Sequence, residues 1–261
     1  MGATFQRSAT RNMTDEHNLP CDEDAKPRSR GIYLLPNLFT TGALFSGFYA
    51  VIAGMNDRFE AAAVAVFVAM LLDGLDGRVA RMTNTSSAFG AEYDSLSDMV
   101  SFGVAPALVA FTWALDNTGK IGWFAAFIYV ACAALRLARF NTQIGSVDKK
   151  YFIGLPSPAA AATVAGLVWA CTEFEVVPEG PMSFAVAGLV AVCGVLMVSN
   201  ILYHSFKEVD FKGKVPFVIL AAIVLVLGVI SISPPLFLWS LFLIYMLSGP
   251  AIWVWRKRRL L

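Results

Sequence analysis

The sequence predicts an all-α membrane protein, a polytopic bundle of eight transmembrane helices with both termini in the cytoplasm. Three observations predict this fold class. Hydrophobic residues make up 57% of the 261 residues and charged residues only 15%, whereas an average globular protein carries about 25% charged residues. Uncharged stretches of bilayer-spanning length recur along the chain. Lysine and arginine are concentrated in alternate loops, as they are in membrane proteins of fixed orientation.

Eight segments have the length and apolar composition of a bilayer crossing. The last long apolar stretch, from Val215 to Trp255, carries no charge, and Ser233-Pro234-Pro235 divides it into two crossings. The eight predicted spans lie near 33–55, 59–80, 97–115, 121–138, 156–172, 181–203, 215–232 and 235–255.

The basic residues predict the orientation of these spans. If the N-terminus is cytoplasmic, 18 of the 20 Lys and Arg residues fall on that side, and only Arg58 and Lys120 fall on the other. Cytoplasmic loops are the ones enriched in Lys and Arg. The sequence therefore predicts a cytoplasmic tail over 1–30, a transmembrane catalytic domain over 31–255 and a basic cytoplasmic tail over 256–261.

Four aspartates lie at the cytoplasmic end of the second and third predicted spans. Asp73 and Asp76 share one helical face, and Asp94 and Asp98, four residues apart, share another. A carboxylate in hydrocarbon costs about 2.5–3.5 kcal/mol on insertion scales, so this cluster indicates a function. Oxygen ligands favour Mg, Mn or Ca, and about four negative charges suggest two divalent cations. Paired metal ions of this kind are suited to phosphoryl transfer.

The residues around the aspartates favour a phosphate-containing substrate. Arg81 lies one turn beyond Gly77 on the aspartate face and can grip phosphate oxygens with two N–H groups. Gly77, Ala80 and Gly90 leave room for a ligand against the backbone. These features predict a metal-dependent enzyme that acts on a phosphate-containing substrate at the cytoplasmic membrane surface.

The motif Asp73-x2-Asp76-Gly77-x2-Ala80-Arg81-x8-Gly90-x3-Asp94-x3-Asp98 resembles the signature of the CDP-alcohol phosphatidyltransferases at every fixed position. Further segments are similar to the branch of this family that uses serine, namely Leu135–Asn141, Gly154–Pro158 and Ser205–Lys207. The resemblance implies transfer of the phosphatidyl group of CDP-diacylglycerol to L-serine, which gives phosphatidylserine and CMP in phospholipid biosynthesis.

The resemblance also implies roles for single residues. Asp73, Asp76 and Asp94 would bind the two divalent cations, Mg or Mn with Ca as an alternative, and Asp98 would be the general base and a ligand of the second ion. The serine carboxylate would be bound by Arg136 and Arg139. The CDP-lipid would be held by a larger group, which comprises Asn37, Thr40, Gly77, Ala80, Arg81, Ser87 and Gly90.

Several alternatives stay open at this level. Another alcohol acceptor, such as glycerol phosphate or inositol phosphate, would use the same chemistry. A membrane cation transporter is the alternative from a different class, because acids within spans often mark ion pathways. The expected location is the cell (inner) membrane, with the active site on the cytoplasmic side. The expected partners are the two substrates and the lipid bilayer but no nucleic acid, and small-residue helix faces permit a homodimer.

Overall fold

The structure, a computed structural model, describes residues 34–83, 87–142, 151–204, 228 and 230–259. Within these ranges the chain is helical almost throughout, which confirms the all-α prediction. The seven long helices are α1 (Leu34–Met55), α2 (Phe59–Thr83), α3 (Ala88–Thr118), α4 (Lys120–Thr142), α5 (Ser157–Glu173), α6 (Pro181–Val198) and α7 (Pro234–Arg259). Two short strands, β1 (Tyr151–Ile153) and β2 (Leu202–His204), pair antiparallel.

Seven of the eight predicted spans fall on these helices. The remaining span, near 215–232, lies almost wholly outside the described residues, and the predicted tail over 1–30 lies outside them as well. Five helices are long and apolar enough to cross a membrane, namely α1, α3, α4, α6 and α7. Of the other two, α2 carries the charged residues of the aspartate motif, and α5 has only 17 residues. The number of crossings therefore stays a prediction.

The observed helix limits differ from the limits of the predicted spans at two places. The third helix begins at Ala88, ahead of the membrane span predicted near 97–115, and Ser87 caps it by accepting a 3.0 Å hydrogen bond from the backbone N–H of Gly90. The sixth helix ends at Val198 rather than near 203. The chain then becomes extended at Ser199 and continues into β2.

The α1–α2 hairpin packs through small side chains. Ala43 and Ala50 of α1 belong to the same buried cluster as Ala63 and Ala69 of α2, and such residues let membrane helices approach closely. On α1, a Cβ at Gly47 would lie 2.5 Å from Oγ of Ser101 in α3. Glycine is therefore required where α1 crosses α3.

The helix α3 is not a regular α-helix along its whole length. It is α-helical over Ala88–Asp98, and wider π-helical turns follow at Met99–Val104 and Phe111–Leu115. The first π-helical turn begins immediately after Asp98. Single π-helical turns within α-helices are frequent at functional sites.

The strand pair joins the entry to α5 with the segment that follows α6. Gly154 adopts a positive φ of 80° beside the carbonyl group of Met197, a conformation that suits glycine. Its N–H donates to the carbonyl of Ile201 at 2.8 Å, and the N–H of Leu155 donates to the carbonyl of Leu196 at 2.9 Å. These bonds fix the start of α5 at the same end of the bundle as the aspartates.

Candidate active site

The end of the α2–α3 hairpin brings three of the four aspartates together. Asp73 and Asp76 project from the second half of α2, and Asp94 projects from the beginning of α3. One carboxylate oxygen from each of the three residues lies within 4.8 Å of the other two. The i, i+3 spacing on α2 places both of its aspartates towards α3.

Asp98 lies next to this group, whose three members are Asp73, Asp76 and Asp94. Its carboxyl group lies within hydrogen-bonding distance of Asp73, and it is close enough to Asp94 for electrostatic repulsion. The structure therefore brings together all four aspartates that the sequence singled out. Such proximity of like charges requires positive charge or shared protons from elsewhere.

A residue of α1 forms hydrogen bonds with both helices that carry the aspartates. The Thr40 side chain is 4% exposed, and its hydroxyl donates a 2.7 Å hydrogen bond to Oδ2 of Asp76. The Thr40 carbonyl accepts a 3.1 Å hydrogen bond from Oγ of Ser97, which precedes Asp98 on α3. One α1 residue thus joins both aspartate-bearing helices.

The carboxylates of Asp73, Asp76 and Asp94 fit a hard divalent cation. Oδ1 of Asp94 is buried and has no hydrogen-bond partner within the described part of the chain. A buried acceptor without a partner is costly, and a bound cation would satisfy it. The surrounding ligands are all carboxylate oxygens, the donors that Mg, Mn and Ca prefer.

The residues expected to hold the nucleotide border the same cluster. Gly77 follows Asp76 on α2, and a Cβ built there would meet nothing within 4 Å, so the backbone is open to a ligand. Nε of Arg81 donates to the carbonyl oxygen of Gly77 at 2.8 Å, which holds the exposed guanidinium beside this space. Ala80 lies between them, half-buried.

Three further residues of this predicted set meet where α3 begins. Ser87 accepts the capping bond from Gly90, and a Cβ at Gly90 would lie 3.1 Å from Oγ of Ser87 and 3.5 Å from Oδ1 of Asn37. Asn37 therefore lies next to the cap. Thr40, the remaining member of the set, has its hydroxyl bonded to Asp76 and to the carbonyl of Pro36. These contacts favour a supporting role for Thr40.

The two arginines at the end of α4 have separate surroundings. Arg136 is half-buried, lies within electrostatic range of Asp98, and donates from Nη1 to Oγ of Ser157 at 2.8 Å. Arg139 instead donates from Nη2 to Oδ1 of Asn200 at 2.9 Å and from Nη1 to the carbonyl of Val198 at 3.4 Å. Arg136 therefore lies within electrostatic range of one aspartate, whereas Arg139 holds the segment after α6.

Sequence reasoning missed several residues that shape this site. Ser97 and Ser101 lie four residues apart on α3 and donate to the α1 carbonyls of Thr40 and Ala43. Their i, i+4 spacing was the available signal for a polar contact between helices. Ser157 also escaped notice, although it lies within the segment Gly154–Pro158 that the resemblance had singled out.

Basic residues accumulate at the same end of the bundle. Among the described Lys and Arg residues, only Arg58 and Lys120 lie at the opposite end. The basic residues at the aspartate end are Arg78, Arg81, Arg136, Arg139, Arg256, Lys257, Arg258 and Arg259. The aspartates therefore lie at the end of the bundle that carries most of the described basic residues.

Comparison with known proteins agrees with this geometry. Residues 33–199 match the family model described as CDP-alcohol phosphatidyltransferase. The chain is 40% identical over 224 residues to a CDP-diacylglycerol–serine O-phosphatidyltransferase of Helicobacter pylori strain J99, covering 85% of this chain and 92% of that protein. A protein of the same name in Mycobacterium leprae is 31% identical, with 87% of this chain and 77% of that protein covered. Another in Methanocaldococcus jannaschii is 38% identical, with 70% of this chain and 80% of that protein covered. The chain belongs to the CDP-alcohol phosphatidyltransferase family.

Proposed function

We propose that this protein transfers the phosphatidyl group of CDP-diacylglycerol to L-serine and releases CMP. Family membership supports the reaction type, and the relatives in bacteria and an archaeon that carry the serine transferase name support the acceptor. The observation that carries the proposal is the cluster of Asp73, Asp76 and Asp94, with Arg136 within electrostatic range of the neighbouring Asp98. This arrangement provides a proton acceptor, a cation for a carboxylate and a site for phosphate-binding metals in one place.

The chemical step is a displacement at phosphorus. The serine hydroxyl oxygen forms a bond to the lipid-linked phosphorus of CDP-diacylglycerol, and the bond from that phosphorus to the oxygen of CMP breaks. Asp98 accepts the proton of the serine hydroxyl as general base. The products are phosphatidylserine and CMP, so atoms and charge balance without a further reactant.

Asp73, Asp76 and Asp94 would hold two divalent cations, Mg or Mn with Ca as an alternative, and Asp98 would also contribute to the second site. The unpartnered Oδ1 of Asp94 supports this assignment. When bound, such cations supply positive charge to the pyrophosphate oxygens and to the departing phosphate. Thr40 keeps Asp76 oriented, as outer hydrogen-bond partners do for metal-binding carboxylates.

The CDP group would lie over the open backbone at Gly77 and Ala80. Arg81 would bind phosphate oxygens from beside this space, since its Nε is held by the Gly77 carbonyl and its terminal N–H groups are exposed. Asn37, Ser87 and Gly90 would border the nucleotide at the other side, with Thr40 behind them. The lipid tails would extend from this position into the bilayer.

The acceptor is the feature that distinguishes members of this family. Arg136 would bind the serine carboxylate, and Arg139 would join it only after giving up its bonds to Asn200 and Val198. One guanidinium, with one positive charge, suits a carboxylate with one negative charge better than a phosphate with nearly two. This charge count favours serine over glycerol phosphate or inositol phosphate.

The protein would lie in the cell (inner) membrane with its active site open to the cytoplasm. This proposal includes eight crossings with both termini inside, a tail over 1–30, a catalytic domain over 31–255 and a basic tail over 256–261. The concentration of basic residues at the aspartate end supports the orientation. We include a homodimer in the proposal, because exposed apolar side chains such as Phe45 and Phe124 leave membrane-facing surface for a second copy.

The decisive experiment offers the purified protein one CDP-lipid and a panel of alcohols with Mg or Mn, and measures CMP release. We expect CMP release that depends on L-serine and exceeds release with glycerol phosphate, inositol phosphate or water. A preference for another alcohol would replace the acceptor within the same chemistry. Cation flux through proteoliposomes without CMP release would instead support a transporter.

A further inference from the structure

Ser157 occupies a position that the proposed reaction has not yet used. It is the first residue of α5, its side chain is 1% exposed, and its Oγ accepts a 2.8 Å hydrogen bond from Nη1 of Arg136. The backbone bonds of Gly154 and Leu155 to the segment around α6 fix the chain immediately before it. Ser157 is therefore a rigidly placed hydroxyl in contact with the one arginine beside Asp98.

The hydroxyl of Ser157 retains hydrogen-bonding capacity. A serine hydroxyl has one donor and two acceptor positions, and the bond from Arg136 uses an acceptor position. The N-cap position of α5 is occupied by Pro156, and Ser157 is the first residue inside the helix. No acceptor for its proton is present among the residues with described coordinates. A hydrogen bond from a buried, unused hydroxyl donor to an acceptor on a ligand stabilises the complex.

The guanidinium that Ser157 holds is also only partly used. Arginine carries five N–H donors in a plane, and Ser157 takes one from Arg136. The group lies within electrostatic range of Asp98, Tyr129 and Tyr245.

We propose that Ser157 is a specificity-determining residue for the acceptor, and this inference rests on the proposed function. It holds the guanidinium of Arg136 in place and donates its own proton to the carboxylate of the bound amino acid. The hydroxyl of that amino acid is then directed to Asp98. The paired recognition by Arg136 and Ser157 selects an acceptor that bears a carboxylate close to its hydroxyl.

The test compares Ser157→Ala with the wild type in steady-state assays that vary L-serine and the CDP-lipid separately. We expect the KM for L-serine to rise about tenfold or more, the effect of losing a hydrogen bond to a charged group, while the KM for the CDP-lipid stays unchanged. Ser183→Ala is the matched control. Ser183 is 3% exposed in the first turn of α6, at the opposite end of the bundle, and its hydroxyl bonds only the carbonyl of Pro178.

L-Serinamide separates carboxylate recognition from a merely structural role. It keeps the hydroxyl and amino groups of serine but lacks the charge, and it is measured as a substrate or as a competitive inhibitor. We expect Ser157→Ala to leave the constant for L-serinamide within twofold of wild type while that for L-serine changes. Equal losses for both compounds would overturn the proposal, because they would indicate general damage to the site.

Retention of the hydroxyl provides a second variant. Ser157→Thr keeps the donor and acceptor, and we expect its KM for L-serine to return towards the wild-type value. An unchanged KM for L-serine in Ser157→Ala overturns this inference while leaving serine as the acceptor of the wild type. A wild type that releases no serine-dependent CMP overturns the proposed function itself. The two failures are therefore distinguishable in one set of assays.

Discussion

Thr40 donates a 2.7 Å hydrogen bond to Oδ2 of Asp76, and this bond ties the first helix to the aspartate-bearing second helix. Both side chains are almost completely buried, at 4% and 5% exposure. The same threonine accepts from Ser97 through its carbonyl oxygen. The cluster is therefore organised by α1, which contributes no carboxylate of its own. A bond to a buried carboxylate contributes about 1.5–3 kcal/mol, enough to influence where Asp76 points.

Replacing Thr40 with valine tests this support, because valine keeps the shape of threonine and removes the hydroxyl. We expect the Mg or Mn concentration for half-maximal activity to rise roughly 10- to 100-fold, as for other outer partners of metal ligands. The measurement is a metal titration of CMP release. Thr163→Val is the control, since the buried Thr163 hydroxyl bonds only the Ala159 carbonyl of its own helix. An unchanged metal requirement would contradict the positioning role.

Asp98 is expected to act on the proton of the acceptor rather than on the binding of the lipid nucleotide. Asp98→Asn should lower the rate of CMP release at least about 100-fold, the scale of general-base catalysis, and nearly retain CDP-lipid binding. Binding is measured by titration calorimetry in detergent. Asp116→Asn, at the exposed far end of α3, should behave as wild type. Normal turnover by Asp98→Asn would remove the base assignment.

A substitution at Gly77 tests the position of the nucleotide. Beyond its own turn of helix, a methyl group there would contact no atom of the described residues within 4 Å. Gly77→Ala should raise the thermal stability slightly, because alanine is favoured over glycine in helices by roughly 1 kcal/mol. We nevertheless expect the KM for the CDP-lipid to rise about tenfold, equivalent to about 1.4 kcal/mol of lost contact.

Gly188→Ala is the matched control for Gly77→Ala, because that helical glycine also faces open space but lies on α6, towards the other end. Its KM for the CDP-lipid should not change. Equal KM values in both variants and the wild type would move the nucleotide away from Gly77.

The sequence predicts those features of the site that depend on local residue spacing, but not those that depend on contacts between distant segments of the chain. The aspartates and Gly77 lie on helical faces that follow from residue spacing alone, so their grouping could be predicted from the sequence. The different contacts of Arg136 and Arg139 could not be predicted from the sequence. These arginines are three residues apart, and only the packing of α4 against Ser157 and Asn200 decides what each one contacts.

The irregular parts of the fold were equally hard to predict. The π-helical turn after Asp98 was not predicted, and its Phe102 carbonyl accepts a hydrogen bond from Tyr129 of α4. The end of α6 was misplaced as well. Val198 to Tyr203 is apolar enough to continue a helix, but Leu202–His204 pairs with a strand about fifty residues earlier.

Tyr129 connects α4 to that irregular turn. Its hydroxyl donates a 3.0 Å hydrogen bond to the carbonyl of Phe102, and its side chain is fully buried. Tyr129→Phe would leave the carbonyl without this partner, so we expect the free energy of unfolding to fall by about 1–3 kcal/mol. Thermal unfolding in detergent measures the loss. Tyr93→Phe, which removes the more exposed hydrogen bond to Thr41, should cost much less, and similar losses in both variants would contradict a special role for the turn.

Asp94 offers the most direct test of metal binding, because the readout needs no turnover. Its Oδ1 is buried without a partner in the described chain, and Asp94→Asn would place a neutral amide where a cation needs a charged oxygen. We expect the affinity for Mn²⁺, measured by electron paramagnetic resonance of the free ion, to fall at least about tenfold, because ligand charge sets affinity at such oxygen sites. Glu92→Gln removes the same charge from an exposed position two residues earlier and should leave the affinity unchanged. Equal Mn²⁺ affinity in wild type and Asp94→Asn would show that the buried oxygen has another role, whereas a loss confined to Asp94→Asn would tie the empty bonding position to the cation.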